Sequence, residues 1–441
     1  MRYNIFVLTH IALAIAVFTV NILSTLLALA IFILGFLYVL KTKNKNNEVL
    51  IVCAYITGAE VFIRATDGAF LYEFAKYGII FFMTIGIFYS SFSKNIFPYV
   101  LYLLLLLPAL LYTTTNFILT DSDRKIISFT ISGPVCLGVC AIYCYQRSIS
   151  LNRLYDVLLA LGLPIISLTT YLILFNPSVR DVVTGTDSSG ALSGGFGPNQ
   201  VSTVVGLGIF VFLSRIILVS KSKLEIVVNT ILVSVMVFRG IVTFSRGGML
   251  AAAIISAVLL YKVFKITGAA ARFKILLIVL SASVLLLGIW SYSVLQTKGL
   301  IANRYAGQDA AGRQKASKFT GREELAETEL SIFYENPILG CGVSRSIKIR
   351  ESRTGINAAS HNELTRLLAE HGFLGILILF ILFTTPVVLS LNNKQHFFLY
   401  SFLLFWLLTI NHAAMRIAAP AFVYALALLQ VSINTKPNQI Q

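Results

Sequence analysis

The chain has 441 residues, 57% of them hydrophobic and 12% charged, with a formal net charge of +16 and a mean hydropathy of +0.83. A soluble chain of this length needs far less apolar surface for its core, so the composition excludes a soluble globular protein. The apolar runs are continuous rather than alternating, which predicts membrane-crossing helices and excludes a closed barrel.

A helix needs roughly 20 apolar residues to cross about 30 Å of hydrocarbon. By that measure spans are expected near 5–20, 22–40, 49–65, 71–91, 97–115, 128–146, 153–174, 198–219, 226–243, 248–265, 274–296, 364–391, 397–411 and 415–433. The fold class is all-α and polytopic, with about 12–14 transmembrane helices. The first span follows Met1-Arg2-Tyr3 almost at once and lacks a small-residue cleavage site, so it reads as a retained helix and not a removed signal peptide. With both termini cytoplasmic, Lys41, Lys43, Lys45, Lys94, Arg147, Arg153, Lys221, Lys223, Lys262, Lys265, Arg272, Lys274 and Lys394 fall inside, while short outer loops keep only a few such as Arg124, Lys125 and Arg180. That asymmetry obeys the positive-inside rule. The net charge is then a topology signal, basic loops meeting anionic membrane lipids, and implies no nucleic-acid partner.

Cys136, Cys140 and Cys144 recur every four residues along one apolar helix, a stripe of small side chains suited to close packing. No C-x-x-C or His/Cys cluster points to a metal, and Cys341 has no obvious disulfide partner. There is no internal repeat. One long hydrophilic segment, 297–362, lies between spans and falls outside by the same count.

Three polar islands interrupt the hydrophobic pattern, and the topology count puts all of them on the outer side. In Phe244-Ser245-Arg246-Gly247-Gly248, Ser245 can cap the following span while the glycines allow close approach. Arg246 projects there, and Arg239, seven residues earlier, is expected on nearly the same face, so that two guanidinium groups point into one cavity. An arginine in a membrane is costly enough to be a functional candidate. In Thr320-Gly321-Arg322-Glu323, Thr320 and Glu323 form a capping-box pattern ahead of an amphipathic helix stopped by Asn336-Pro337. Arg322 then falls in a first helical turn, where the backbone also favours an anion. In Ser360-His361-Asn362-Glu363, a second capping box makes His361 the first helical residue of the long span that follows, where the helix dipole favours a neutral imidazole able to accept a proton. His371, deeper in that helix, reads as a packing or hydrogen-bonding residue.

These islands, with Asn336-Pro337-Ile338-Leu339-Gly340-Cys341-Gly342 and Glu370-His371-Gly372-Phe373-Leu374-Gly375, follow in order and spacing a known pattern. The chain resembles the O-antigen ligase and polymerase superfamily, the WaaL and Wzy type membrane glycosyltransferases. The motif-bearing likeness runs over about 197–375, where Gly197-Pro198-Asn199 is similar to an element that opens a span in many members. His371 is a departure from the usual Glu-x-Gly stretch.

The resemblance implies a GT-C-like fold with one large periplasmic loop containing short helices. It divides the chain into N-terminal transmembrane helices (1–196), an O-antigen ligase-like catalytic region (197–391) including the periplasmic loop 297–362, and a C-terminal transmembrane hairpin and cytoplasmic tail (392–441). It further implies a bacterial cytoplasmic (inner) membrane location with the active site on the periplasmic face. The implied donor is a glycan on undecaprenyl pyrophosphate, passed to a glycan or lipid A-core acceptor with no cofactor and no metal. By position Arg246 and Arg322 would bind the pyrophosphate, joined by Arg239 through its spacing from Arg246, and His361 would be catalytic, as the general base of an inverting transfer. The competing expectation is a transporter or flippase of lipid-linked oligosaccharide, which calls for mid-bilayer ionisable residues and paired repeats.

Overall fold

The computed structural model describes residues 2–315, 322–355, 358 and 360–433. Helices dominate, and nine of those described are long and apolar enough to cross a bilayer, with three shorter apolar helices beside them. The chain's own contacts divide it into two compact units, each assembled from separate stretches.

The first unit comprises Met1–Phe74, Leu151–Ala316 and Tyr400–Phe405. Its centre is the pair of helices Leu151–Phe175 and Pro198–Leu218, both buried along most of their length. Glu48–Ala65 packs on the first of these, and Lys223–Ile241 and Arg246–Ile266 on the second. At Gly248 a Cβ would lie 2.3 Å from the backbone of Ser202, so only glycine permits this contact between the helices. Ala269–Gln296 has only 6% of its apolar stretch buried, which leaves nearly its whole girth for lipid.

The second unit comprises Ala75–Ser150, Ser317–Leu399 and Trp406–Gln441. Helices Phe97–Asn116 and Asp121–Cys144 form its membrane part with Phe373–Asn392, and Cys136, Cys140 and Cys144 are fully buried in it. Tyr102 donates its hydroxyl to the Pro134 carbonyl at 2.9 Å, which ties the first two of these helices together. Strands Ser148–Ser150 and Gln430–Ser432 pair in parallel.

Two expected spans take a different form. The run 364–391 is broken: Glu363–His371 is a separate nine-residue helix, and the span proper is Phe373–Asn392. Gly372 makes the break, with φ +60. The run 415–433 contains only the eight-residue helix Ala419–Leu426, about 12 Å at 1.5 Å per residue, too short to cross.

The broken span clasps the segment 337–342. Cys341 N–H donates to the Ala369 carbonyl at 2.9 Å, Gly342 N–H to Glu370 at 3.1 Å, and Phe373 N–H to Pro337 at 2.7 Å. Gly340, at φ +72, and Gly372 meet here, and a Cβ on Gly372 would lie 2.6 Å from the Gly340 nitrogen. Two of the motifs noted in the sequence are therefore one joint.

Candidate active site

The Arg246 hairpin lies in the first unit. Phe244 holds a left-handed conformation, φ +59, rare for a bulky residue and a local strain typical of functional turns. Ser245 occupies the N-cap position of Arg246–Ile266 without making a side-chain cap. Its hydroxyl donates instead to Asn199 Oδ1 at 2.8 Å and accepts from Ser202 at 2.9 Å, which ties the hairpin to the Pro-Asn opening of Pro198–Leu218. Arg246, the first helical residue, is half-buried, and its Nη1 donates to the Arg304 carbonyl at 3.5 Å.

Arg304 is a residue that sequence reasoning missed. It sits in the short helix Leu300–Tyr305 with 8% of its side chain exposed. Its Nε donates to the Phe244 carbonyl at 3.1 Å and its Nη1 to Asp187 at 3.4 Å, while Lys315 Nζ reaches the same Asp187 oxygen at 2.7 Å. Burial, and then the neighbouring Arg246, lowers the pKa of Arg304 below its ordinary value. Arg304 and Lys315 thus share one carboxylate, and Arg246 stands beside them through the Arg304 carbonyl.

Arg239 does not join them as expected from its spacing. The chain turns between the two arginines, so helical periodicity does not carry from one to the other. The Arg239 guanidinium is buried and donates to the carbonyls of Asn176, at 3.2 Å, and Leu172, at the end of Leu151–Phe175. There it complements the negative end of a helix.

Arg322 and His361 lie in the second unit. Arg322 opens the helix Arg322–Glu335, while Thr320 and Gly321, and with them the expected capping box, lie outside the described residues. His361 is half-buried and precedes its helix rather than opening it: Asn362 is the N-cap, its side chain accepting from Leu364 N–H at 2.9 Å. The second capping box is absent because the Glu363 carboxylate is taken by Arg366. The helix-dipole argument for a neutral His361 falls with it.

What fixes these two segments is Glu329, buried on the helix that begins at Arg322. It pairs with Arg350 at 3.0 Å and accepts from Ser360 at 3.2 Å and from Thr365. Burial raises its pKa, opposed by the hydroxyl donors and Arg350. Ser360 is the residue before His361, and Arg416 Nη2 donates to its carbonyl at 2.9 Å. One carboxylate and one guanidinium therefore position the backbone on which His361 stands. Behind them Arg366 bridges Glu363 and Glu370, the latter at 2.7 Å, and Glu370 also accepts from Ser346 at 2.9 Å. His371 is fully buried, neither ring nitrogen has a hydrogen-bond partner among the described residues, and burial reinforced by Arg366 lowers its pKa to about 3.

In comparison with known proteins, residues 231–380 match the family model described as O-Antigen ligase. Arg239, Arg246, Arg304, Lys315, Arg322, His361 and the clasp all fall within the matched stretch. No curated protein matches the chain.

Proposed function

We propose, for a chain that through residues 231–380 belongs to the O-antigen ligase and polymerase superfamily, that it transfers or polymerises a glycan carried on undecaprenyl pyrophosphate. The reaction takes place at the periplasmic face of the bacterial inner membrane. The observation that carries the reading is the strained hairpin that sets Arg246 against Arg304, with Arg304 and Lys315 paired to Asp187.

Breaking a sugar to pyrophosphate bond builds negative charge on the leaving phosphate, and preorganised positive charge lowers that barrier. Arg246 and Arg322, each in a first helical turn, bind the pyrophosphate, and the guanidinium fork suits two oxygens at once. Arg304 braces the hairpin that presents Arg246. Arg239 supports the same unit by capping Leu151–Phe175, and any contact it makes with the donor is secondary to that. His361 takes the proton from the acceptor hydroxyl as its oxygen attacks the anomeric carbon; the bond to the pyrophosphate breaks, undecaprenyl pyrophosphate leaves, and configuration inverts. Membrane lipids surround the spans, and the acceptor is a glycan or lipid A-core.

The test is transfer by the purified full-length protein in lipid nanodiscs, given lipid-linked donor and acceptor from the native envelope. Product made by the wild type and lost with Arg246→Ala supports the reading. Wild-type protein that carries the donor across a vesicle membrane but joins no glycan would return the transporter expectation.

A further inference from the structure

The chain leaving helix Arg322–Glu335 is apolar and open. Tyr334 and Ile338 are 76% and 73% exposed, and Leu339 is 46% exposed. Single exposed apolar residues are ordinary, but three large ones close together in the sequence make a patch that calls for a partner.

The backbone fixes where this patch lies. Phe373 N–H donates to the carbonyls of Pro337, at 2.7 Å, and Ile338, at 3.1 Å. Phe373 is the first residue of the span Phe373–Asn392, whose 20 residues reach about 30 Å, the thickness of the hydrocarbon itself. With no length to spare, that first residue stands at the hydrocarbon boundary, and Ile338 is held beside it. Phe373, Ile376, Phe380 and Phe383 are all exposed and recur every three or four residues, which makes them one lipid-facing stripe of the span. The patch adjoins the end of that stripe at Phe373, and every residue of both belongs to the second unit.

We propose that Tyr334, Ile338 and Leu339 form a membrane-interface anchor: the two aliphatic side chains enter the acyl chains of the adjoining leaflet, and the tyrosine lies among the headgroups. The inference does not depend on glycosyl transfer. Its partner is phospholipid hydrocarbon and not a charged headgroup, because Glu335, next to Tyr334, pairs with Arg353 at 2.9 Å and leaves no unbalanced charge there. Only the C-terminal end of the helix meets lipid. Glu323, Glu327 and Tyr334 follow at intervals of four and seven residues and so share one side of it, and the two exposed carboxylates keep its start in water. The same helix carries Glu329, which accepts from Ser360 beside His361. The bilayer surface thereby becomes a reference for the height of that histidine.

The experiment uses the full-length protein in nanodiscs of zwitterionic phospholipid. Ile338→Trp and Tyr334→Trp each add an indole at an open position, and the wild type supplies the background of the two native tryptophans, Trp290 and Trp406. Lipid brominated near the carboxyl end of its acyl chains is expected to remove most of the added emission, and bromine near the methyl end to remove less, since interfacial groups reach only about 5–10 Å into the boundary. Glu324→Trp, at the watery end of the helix, should be quenched by aqueous iodide and not by brominated lipid. Two reporters are used so that loss of fold in one leaves the other to decide. Added emission that iodide quenches and brominated lipid does not would overturn the anchor. Emission shielded from both would mean that another protein or a second copy covers the patch, which overturns it equally. Quenching that requires anionic lipid would replace hydrocarbon insertion with headgroup recognition and also sink the proposal.

Discussion

Arg304 donates its Nε–H to the Phe244 carbonyl at 3.1 Å, so a buried arginine from one short helix holds the strained residue two places before Arg246. The same guanidinium contacts Asp187, and Asp187 contacts Lys315. The hairpin arginine is thus set in place by partners that its own motif does not contain.

Arg246→Ala is expected to lower transfer by about 10² to 10³, the usual cost of losing a preorganised group at developing charge. Arg246→Lys should recover little, since an ammonium keeps the charge and loses the fork. Rates from purified protein at matched concentration decide this, and a lysine variant as active as wild type would rule out bidentate phosphate binding.

His361→Ala is expected to slow transfer by about 10² to 10⁴ with the donor KM unaltered, as befits loss of a general base. The check is a pH profile: the wild type should lose activity on acidification as the imidazole takes its proton, and the alanine variant should lack that limb.

On the proposed reading Asp187, whose carboxylate pairs with Arg304 and Lys315, opposes the approach of a pyrophosphate to Arg246. Its carboxylate is largely exposed, 74%, and such ion pairs hold weakly. Asp187→Asn should therefore tighten inhibition by inorganic pyrophosphate several-fold, on the order of 1 kcal/mol. Weaker inhibition in the variant would mean that Asp187 orders the cations and does not oppose the ligand.

Glu329→Ala leaves Arg350 charged and buried without its carboxylate, a change that costs roughly 3 to 5 kcal/mol. A lower melting temperature in detergent is expected, with transfer reduced further by release of Ser360. Glu329→Gln keeps acceptors for Ser360 and Thr365 and should be milder on both readouts.

His371 gives the protein an acid sensitivity of its own. Unfolded, the ring protonates near its ordinary 6.5; folded, it does so only near 3. Between those values the unfolded state binds more protons, so stability falls as pH drops from 6.5 towards 3. His371→Leu removes the titration and also a buried ring without hydrogen-bond partners. Melting temperatures from pH 4 to 8 should show a flatter dependence in the variant.

Hydrophobic continuity made the class and most spans legible, because membrane helices must satisfy their own backbone and so appear as long apolar runs. It also misled. The run through 364–391 stays apolar past Gly372, and hydropathy carries no sign of a positive φ. Near the C-terminus, small apolar residues such as Ala418 and Ala419 imitate a span while building a short buried helix. Arg246 was visible as a charge at an element boundary. Arg304 and Asp187 were not, since they meet across 117 positions with no shared period. The Glu363, Arg366 and Glu370 network could have been found, as its spacing of three and four residues puts all three on one helical face.

The joint at Gly340 and Gly372 makes the segment 337–342 and the broken span a single mechanical part. Any side chain at either glycine pries the two apart, and the displaced strand of backbone leads directly through Arg350 and Glu329 to the residue beside His361. A substitution many residues from the reacting atoms could then silence the protein as thoroughly as loss of the histidine, while leaving every charged group in the chain untouched.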